Sequence, residues 1–201
     1  MRILHVLVVL GVFAPGCKIP PTPVFHPGLD AERLTRVNLR PEGKVIHSAN
    51  FLSVQSNLAA GTRARITMYT EEEVHLTLND GEFVMVPVGK EKFPTNGAGI
   101  DAFLDKYFAG QKEGLTLDGM GPDDLKDEVM RGAPVIGMTK EQVYTCLGPP
   151  LEIDAGAPAL PLERNAILAS DHWIYPLRWA GILPTKTHLF FGDGKLQRVE
   201  P

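Results

Sequence analysis

Gly137-Met138-Thr139-Lys140-Glu141-Gln142-Val143-Tyr144-Thr145-Cys146-Leu147-Gly148-Pro149-Pro150 is the stretch from which the rest of the chain is read. Thr139 predicts a helix N-cap, and Gln142, three residues on, completes a capping box in which two orphan amides are satisfied reciprocally. Met138 before the cap and Val143 after it stand where a hydrophobic staple fixes the angle of chain entry. Val143 and Leu147, four apart, share one face. Gly148 can take the left-handed conformation that closes a helix, and Pro149-Pro150 cannot continue it. A helix of about two turns is marginal alone, so it must dock on something.

The residues that follow supply the platform. Leu151 to Arg164 is rich in proline and alanine and reads as a loop. Strands are expected at Ile167–Ala169, His172–Arg178 and Lys186–Phe191. A fourth, Lys195–Val199, is joined to the third by the hairpin turn Gly192-Asp193-Gly194. Trp173 and Tyr175 fall on one face by period two, as do His188 and Phe190. Helices followed by consecutive antiparallel strands make an α+β arrangement in which helices cover one sheet face. Trp173, Tyr175, Trp179 and Phe191 are the candidate protein-binding residues, as an exposed aromatic patch, against the alternative of ordinary core packing. Trp179 leads them, because Arg178 to Pro184 reads as a loop beyond the strand.

Upstream, residues 44–92 carry a period of two. Ala64, Ile66 and Met68 alternate with polar neighbours, as do Val74, Leu76 and Leu78. Asn79-Asp80-Gly81 is a strong hairpin signal before Glu82–Val86. With a strand near Lys44–Phe51 this predicts a small antiparallel β-meander, of a length and spacing similar to SH3-like barrels. Glu71-Glu72-Glu73 reads as a solvated turn. Ile100, Phe103, Leu104, Tyr107 and Phe108 follow at helical spacing and end at Gly110; this helix should pack across the meander. A second helix is expected from Pro122 to Arg131-Gly132, with Leu125 and Val129 on one face.

The N-terminus reads as a targeting signal. Arg2 precedes an apolar run, Ile3 to Phe13, and Ala14-Pro15-Gly16 gives small residues before Cys17. Two readings stay open: cleavage before Cys17 with acylation of the new N-terminal cysteine, or an ordinary secretory signal. Lys18 stands where an aspartate would hold an acylated protein at the inner membrane, so the outer membrane is the expected location, facing the periplasm. Residues 18–43, with Pro20, Pro21, Pro23, Pro27 and Pro41, read as a tether lifting the fold off the membrane, or as a loop packed on the first domain. The resulting division is 1–16 signal peptide, 17–43 lipid-anchored tether, 44–110 β-domain plus helix, and 111–201 an α+β domain. Of two cysteines, Cys17 is the lipidation candidate. Cys146 is then a small buried hydrophobe; a disulfide between them is the alternative.

The last third resembles the SmpA/OmlA (BamE-like) family of outer-membrane lipoprotein domains. The resemblance lies in Ile136-Gly137-Met138-Thr139-Lys140-Glu141-Gln142-Val143 and Leu147-Gly148-Pro149-Pro150. It continues through Asp171-His172-Trp173-Ile174-Tyr175 and Leu189-Phe190-Phe191-Gly192-Asp193-Gly194-Lys195-Leu196. It implies two packed helices against a three-stranded antiparallel sheet. It also implies a non-enzymatic scaffold or accessory factor, with envelope proteins such as the β-barrel assembly machinery as partners. The alternative is a binding or inhibitory module with an unrelated periplasmic target, since fold does not imply function.

Chemical motifs are missing from the sequence. There is no Gly-x-Ser-x-Gly, no His-Glu-x-x-His, no phosphate-cradling glycine loop and no Cys-x-x-Cys. His47 and Ser48 are adjacent on a strand and point oppositely, as do Asp171 and His172. His172 and His188 can meet across strands, where two ligands suit a surface pair better than a metal site. A net charge of -4 without a basic stripe argues against nucleic acid. No enzyme activity and no cofactor is expected.

Overall fold

Thr139 starts its helix as the sequence requires. In the computed structural model, which describes residues 21–110, 123–154, 156–180 and 183–201, its hydroxyl accepts from the Gln142 amide. The Gln142 side-chain oxygen accepts from the Thr139 amide at 2.7 Å, closing the capping box. Met138 and Val143 are both buried. The helix ends at Gly148, whose φ of 75° and ψ of -170° lie in a region essentially confined to glycine. A Cβ there would also stand 2.9 Å from the Asn50 amide nitrogen.

The chain is α+β, with two sheets and four helices among the described residues. The first sheet is a curled half-barrel of β1 (Arg33–Thr35), β2 (Val45–His47), β3 (Arg63–Tyr69), β4 (Val74–Leu78), β5 (Gly81–Val86) and β6 (Phe108–Gly110). Their spatial order is β2-β5-β4-β3-β1-β6. The three central strands form the expected meander, with Asn79 at φ 50° in the turn between β4 and β5. Two features depart from a plain antiparallel meander. β2 joins β5 in parallel. And β1, from the segment read as a tether, pairs with β3 on one side and β6 on the other. That segment therefore belongs to the fold.

Helix α1 (Gly97–Tyr107) begins where the Asn96 side chain accepts from the Gly99 amide at 2.7 Å. It lays Ile100, Phe103, Leu104 and Tyr107 into the curl of the sheet. Phe103 meets Tyr69 and Phe93 edge-on at 5.3 and 5.4 Å, the favoured geometry for aromatic quadrupoles.

The second half consists of α2 (Asp123–Arg131), α3 (Lys140–Leu147), β7 (Glu152–Ile153), β8 (Ala157–Pro158), α4 (Arg164–Ala169), β9 (His172–Ala180), β10 (Leu183–Gly192) and β11 (Lys195–Glu200). Its sheet is antiparallel throughout, in the order β11-β10-β9-β7-β8. Three expectations need correction. Ile167–Ala169 is helical, because Ile167 turns inward beneath the sheet rather than alternating. The Leu151–Arg164 loop contributes β7 and β8. And Arg178–Pro184 is no free loop, since β9 runs to Ala180 and pairs Trp179 with Pro184. Pro122, the expected first-turn proline of α2, lies outside the described residues. The residues before α3 also pair with the terminal hairpin: the Leu196 amide donates to Met138 O and the Lys140 amide to Gly194 O.

The halves share one apolar core, and a polar joint binds them. Helix C-termini leave carbonyls unpaired, and here side chains from the first half reach them. The buried Asn38 amide donates to Val129 O of α2 at 2.6 Å and to Cys146 O of α3 at 3.0 Å. Its own oxygen accepts from the Ala60 amide. Asn50 donates to Leu147 O and to Asn38 O, and Asn57 to Met130 O. The Arg40 guanidinium donates to Leu52 O, Val54 O and Gly132 O. Among the described residues, no helix is long and apolar enough to cross a membrane.

Candidate functional site

Period two along β9 sends Trp173 and Tyr175 inward, against α3. Both are fully buried, and Phe191 nearly so. The Trp173 indole donates to Ile167 O at 3.0 Å and packs on Tyr144 and Phe191. The Tyr175 hydroxyl donates to Gly148 O at 2.7 Å, and burial pushes its phenol well above the usual range. These three aromatics fill the core, so they form no exposed docking patch. The backbone of Trp179 lies within β9 rather than in a loop, and its side chain, like Cys17, lies outside what the structure describes.

The opposite face of the same sheet carries the next residues in alternation. Phe190 lies in register with His172 on β9 and Arg198 on β11. The His172 and Phe190 rings stack at 4.4 Å, 6° from parallel, and the Arg198 guanidinium lies 4.2 Å from the Phe190 centroid. His172 Nε2 stands 2.9 Å from His188 Nδ1. The centroid separation, 5.1 Å, is close to that distance plus two ring radii. The rings therefore meet edge to edge along one N–H···N bond, one donating and the other accepting. Two ion pairs flank this face: Lys186 with Glu152 and Arg198 with Glu200. The rings of the stack are half-buried, and His188 borders a depression shared with Ser53, Leu177 and Pro201. The stack offers a flat, pre-ordered aromatic and cationic platform.

A second feature is a groove of about 560 Å³ lined by Glu42, His47, Phe51, Ser53, Val54 and Val88. His47 sits edge-on to Phe51 at 4.8 Å. Burial lowers its pKa, with Glu42 pulling it back up. Ser48 points away, its hydroxyl accepting from the buried Val88 amide, so the two adjacent residues form no dyad.

Two buried groups carry unusual electrostatics. The Lys106 ammonium donates to Ala159 O and Leu160 O, and burial brings its pKa down to about 8, with Glu91 pulling it back up. The Cys146 thiol is free, buried and pushed up to about 12, which makes it a packing group rather than a nucleophile. Among the described residues, no three histidine, cysteine or carboxylate side chains gather to hold a metal.

Comparison with known proteins gives no matching family model, curated protein or solved structure. Sequence reasoning placed His172 and His188 together, but it missed Phe190 and Arg198 as their neighbours. His188 and Phe190 share one face by period two, but a plain hairpin register would set Gln197 opposite Phe190; a β-bulge between Phe190 and Phe191 brings Arg198 there instead, and no sequence signal marks it.

Proposed function

We propose that the protein is a non-enzymatic envelope lipoprotein, moored through an acylated Cys17 to the periplasmic side of the outer membrane. It acts as a scaffold or accessory factor in outer-membrane protein assembly or envelope integrity. The observation that carries this reading is the half-buried, pre-ordered His172–Phe190–Arg198 stack with its His188 partner, on a sheet held rigid by its own core. Rigid aromatic and arginine groups are what protein contacts use as anchors, because little side-chain freedom is lost on binding. The partner we assign to this face is another envelope protein. The BamE-like assignment draws support from the capped α3, its packing on α2, and the β9–β10–β11 meander beneath it. β7 and β8 extend the sheet beyond the family's three strands.

Co-purification from detergent-extracted membranes tests this. β-Barrel assembly subunits should be recovered with the wild type and lost with Phe190→Ser or Arg198→Glu, while folding is unchanged. Equal recovery with both variants would remove the docking face from the account.

A second reading is favoured by the His47 groove: a binding or inhibitory module whose target inserts a side chain beside Phe51. A partner lost with His47→Ala and Phe51→Ala, but retained by the Phe190 and Arg198 variants, selects it.

A further inference from the structure

The chain enters the fold earlier than its prolines suggest. The Val24 amide already donates to Tyr69 O at 2.8 Å, and His26 accepts from the Gly28 amide while its carbonyl accepts from Leu29. Pro23 and Pro27 fix their own φ angles on either side. Between them Phe25 is 94% exposed, where the other exposed large apolar residues range from 37% to 60%. It borders a groove of about 500 Å³ whose walls include Pro23, Pro27, Leu29 and Met68. A phenylalanine held out of a fold by a hydrogen-bonded turn, beside further apolar surface, asks for a cover.

Chain length says what that cover is. Only seven residues separate Phe25 from Cys17, eight steps that span at most about 29 Å when fully extended. An acyl chain on Cys17 therefore keeps this face of the fold beside the leaflet. We infer that Phe25 and its groove rest on the lipid surface that holds the acylated cysteine, so the anchored protein has a fixed orientation rather than a free swing. This inference rests on acylation of Cys17.

The surrounding charges set the depth. Arg63 and Arg65 are exposed on the same face of β3 as Thr67, which lines the groove, and there they can meet headgroup phosphates, with Glu32 and Asp80 lining the depression beside them. Asp30 lines the groove as well, which holds the contact at the interface rather than in hydrocarbon. Burying one phenylalanine side chain shifts such a contact equilibrium roughly ten- to hundredfold.

The test uses the acylated full-length protein in vesicles of phosphatidylethanolamine and phosphatidylglycerol containing a shallow doxyl-labelled lipid. A fluorophore on Thr22→Cys reports the contact, with Phe25 kept in place; Cys146 is buried and escapes labelling. Strong quenching is expected at position 22, little at a Val199→Cys comparator on β11, and a severalfold loss at position 22 when Phe25→Asp is added. Equal quenching at the two positions, or no effect of Phe25→Asp, overturns the inference while leaving the anchor intact. Shielding of position 22 from aqueous iodide without lipid quenching would mean a protein cover and also overturns it. Protein that fails to sediment with the vesicles overturns the anchor itself, and the inference with it.

Discussion

The second sheet is closed by neighbours in sequence, whereas the first is closed by distant segments. β9, β10 and β11 follow one another, and β7 and β8 come from the segment shortly before them. The first sheet takes β1 from one flank of its meander and β6 from the other, and then adds β2 in parallel. Local closure writes itself into periodicity and turn residues. Distant closure writes only a mixed triplet, such as Arg33-Leu34-Thr35, which a sequence pattern does not distinguish from loop. The joint between the halves belongs to the second kind: Asn38, Arg40 and Asn50 are single polar residues that act on carbonyls far along the chain.

Cutting the joint should part the halves most completely. Asn38→Leu leaves Cys146 O and the Ala60 amide buried without that partner, and Val129 O with the Gly132 amide alone. The expected loss is about 4 kcal/mol in urea unfolding, with the single transition splitting as the halves part.

Next comes Lys106, where α1 of the first half holds the carbonyls of the 159–160 segment. Its folded pKa, about 8, lies below its ordinary 10.5, so between those values the unfolded chain binds more protons and stability rises with pH. The full gain is about 3 kcal/mol. It is absent below pH 8 and is opposed near pH 10, where the buried tyrosines resist ionisation. Chemical denaturation from pH 7 to 10 should show the rise in the wild type and none in Lys106→Met.

Gly148→Ala probes the joint from the helix side. Its backbone strain and the contact with Asn50 should cost about 2 kcal/mol in the same assay. The smallest effect is expected within the second half alone: Thr139→Ala removes the capping box and about 1 kcal/mol, without separating the halves.

What was legible follows the same division. Thr139, Gln142 and Gly148 announced α3, and Asn79-Asp80-Gly81 announced the β4–β5 hairpin, because each acts on residues within a few positions. Trp173 and Tyr175 were correctly placed on one face, but period two does not say which face is covered, and α3 covers theirs. Ile167–Ala169 was misread because a short apolar run fits strand and helix alike. Residues 18–43 read as a tether or as a loop packed on the first domain, and neither reading found β1, because three residues, Arg33-Leu34-Thr35, are too few to show alternation. The histidine pair was legible by arithmetic alone, since both residues occupy outward positions on adjacent strands.

Both tryptophans sit on β9, so their emission reports the second half alone, while hydrogen exchange in β3, β4 and β5 reports the first. Followed together through a urea titration, the two signals should collapse at one midpoint with one slope, since the joint makes the halves a single cooperative unit. Separate midpoints in the wild-type protein would contradict that claim.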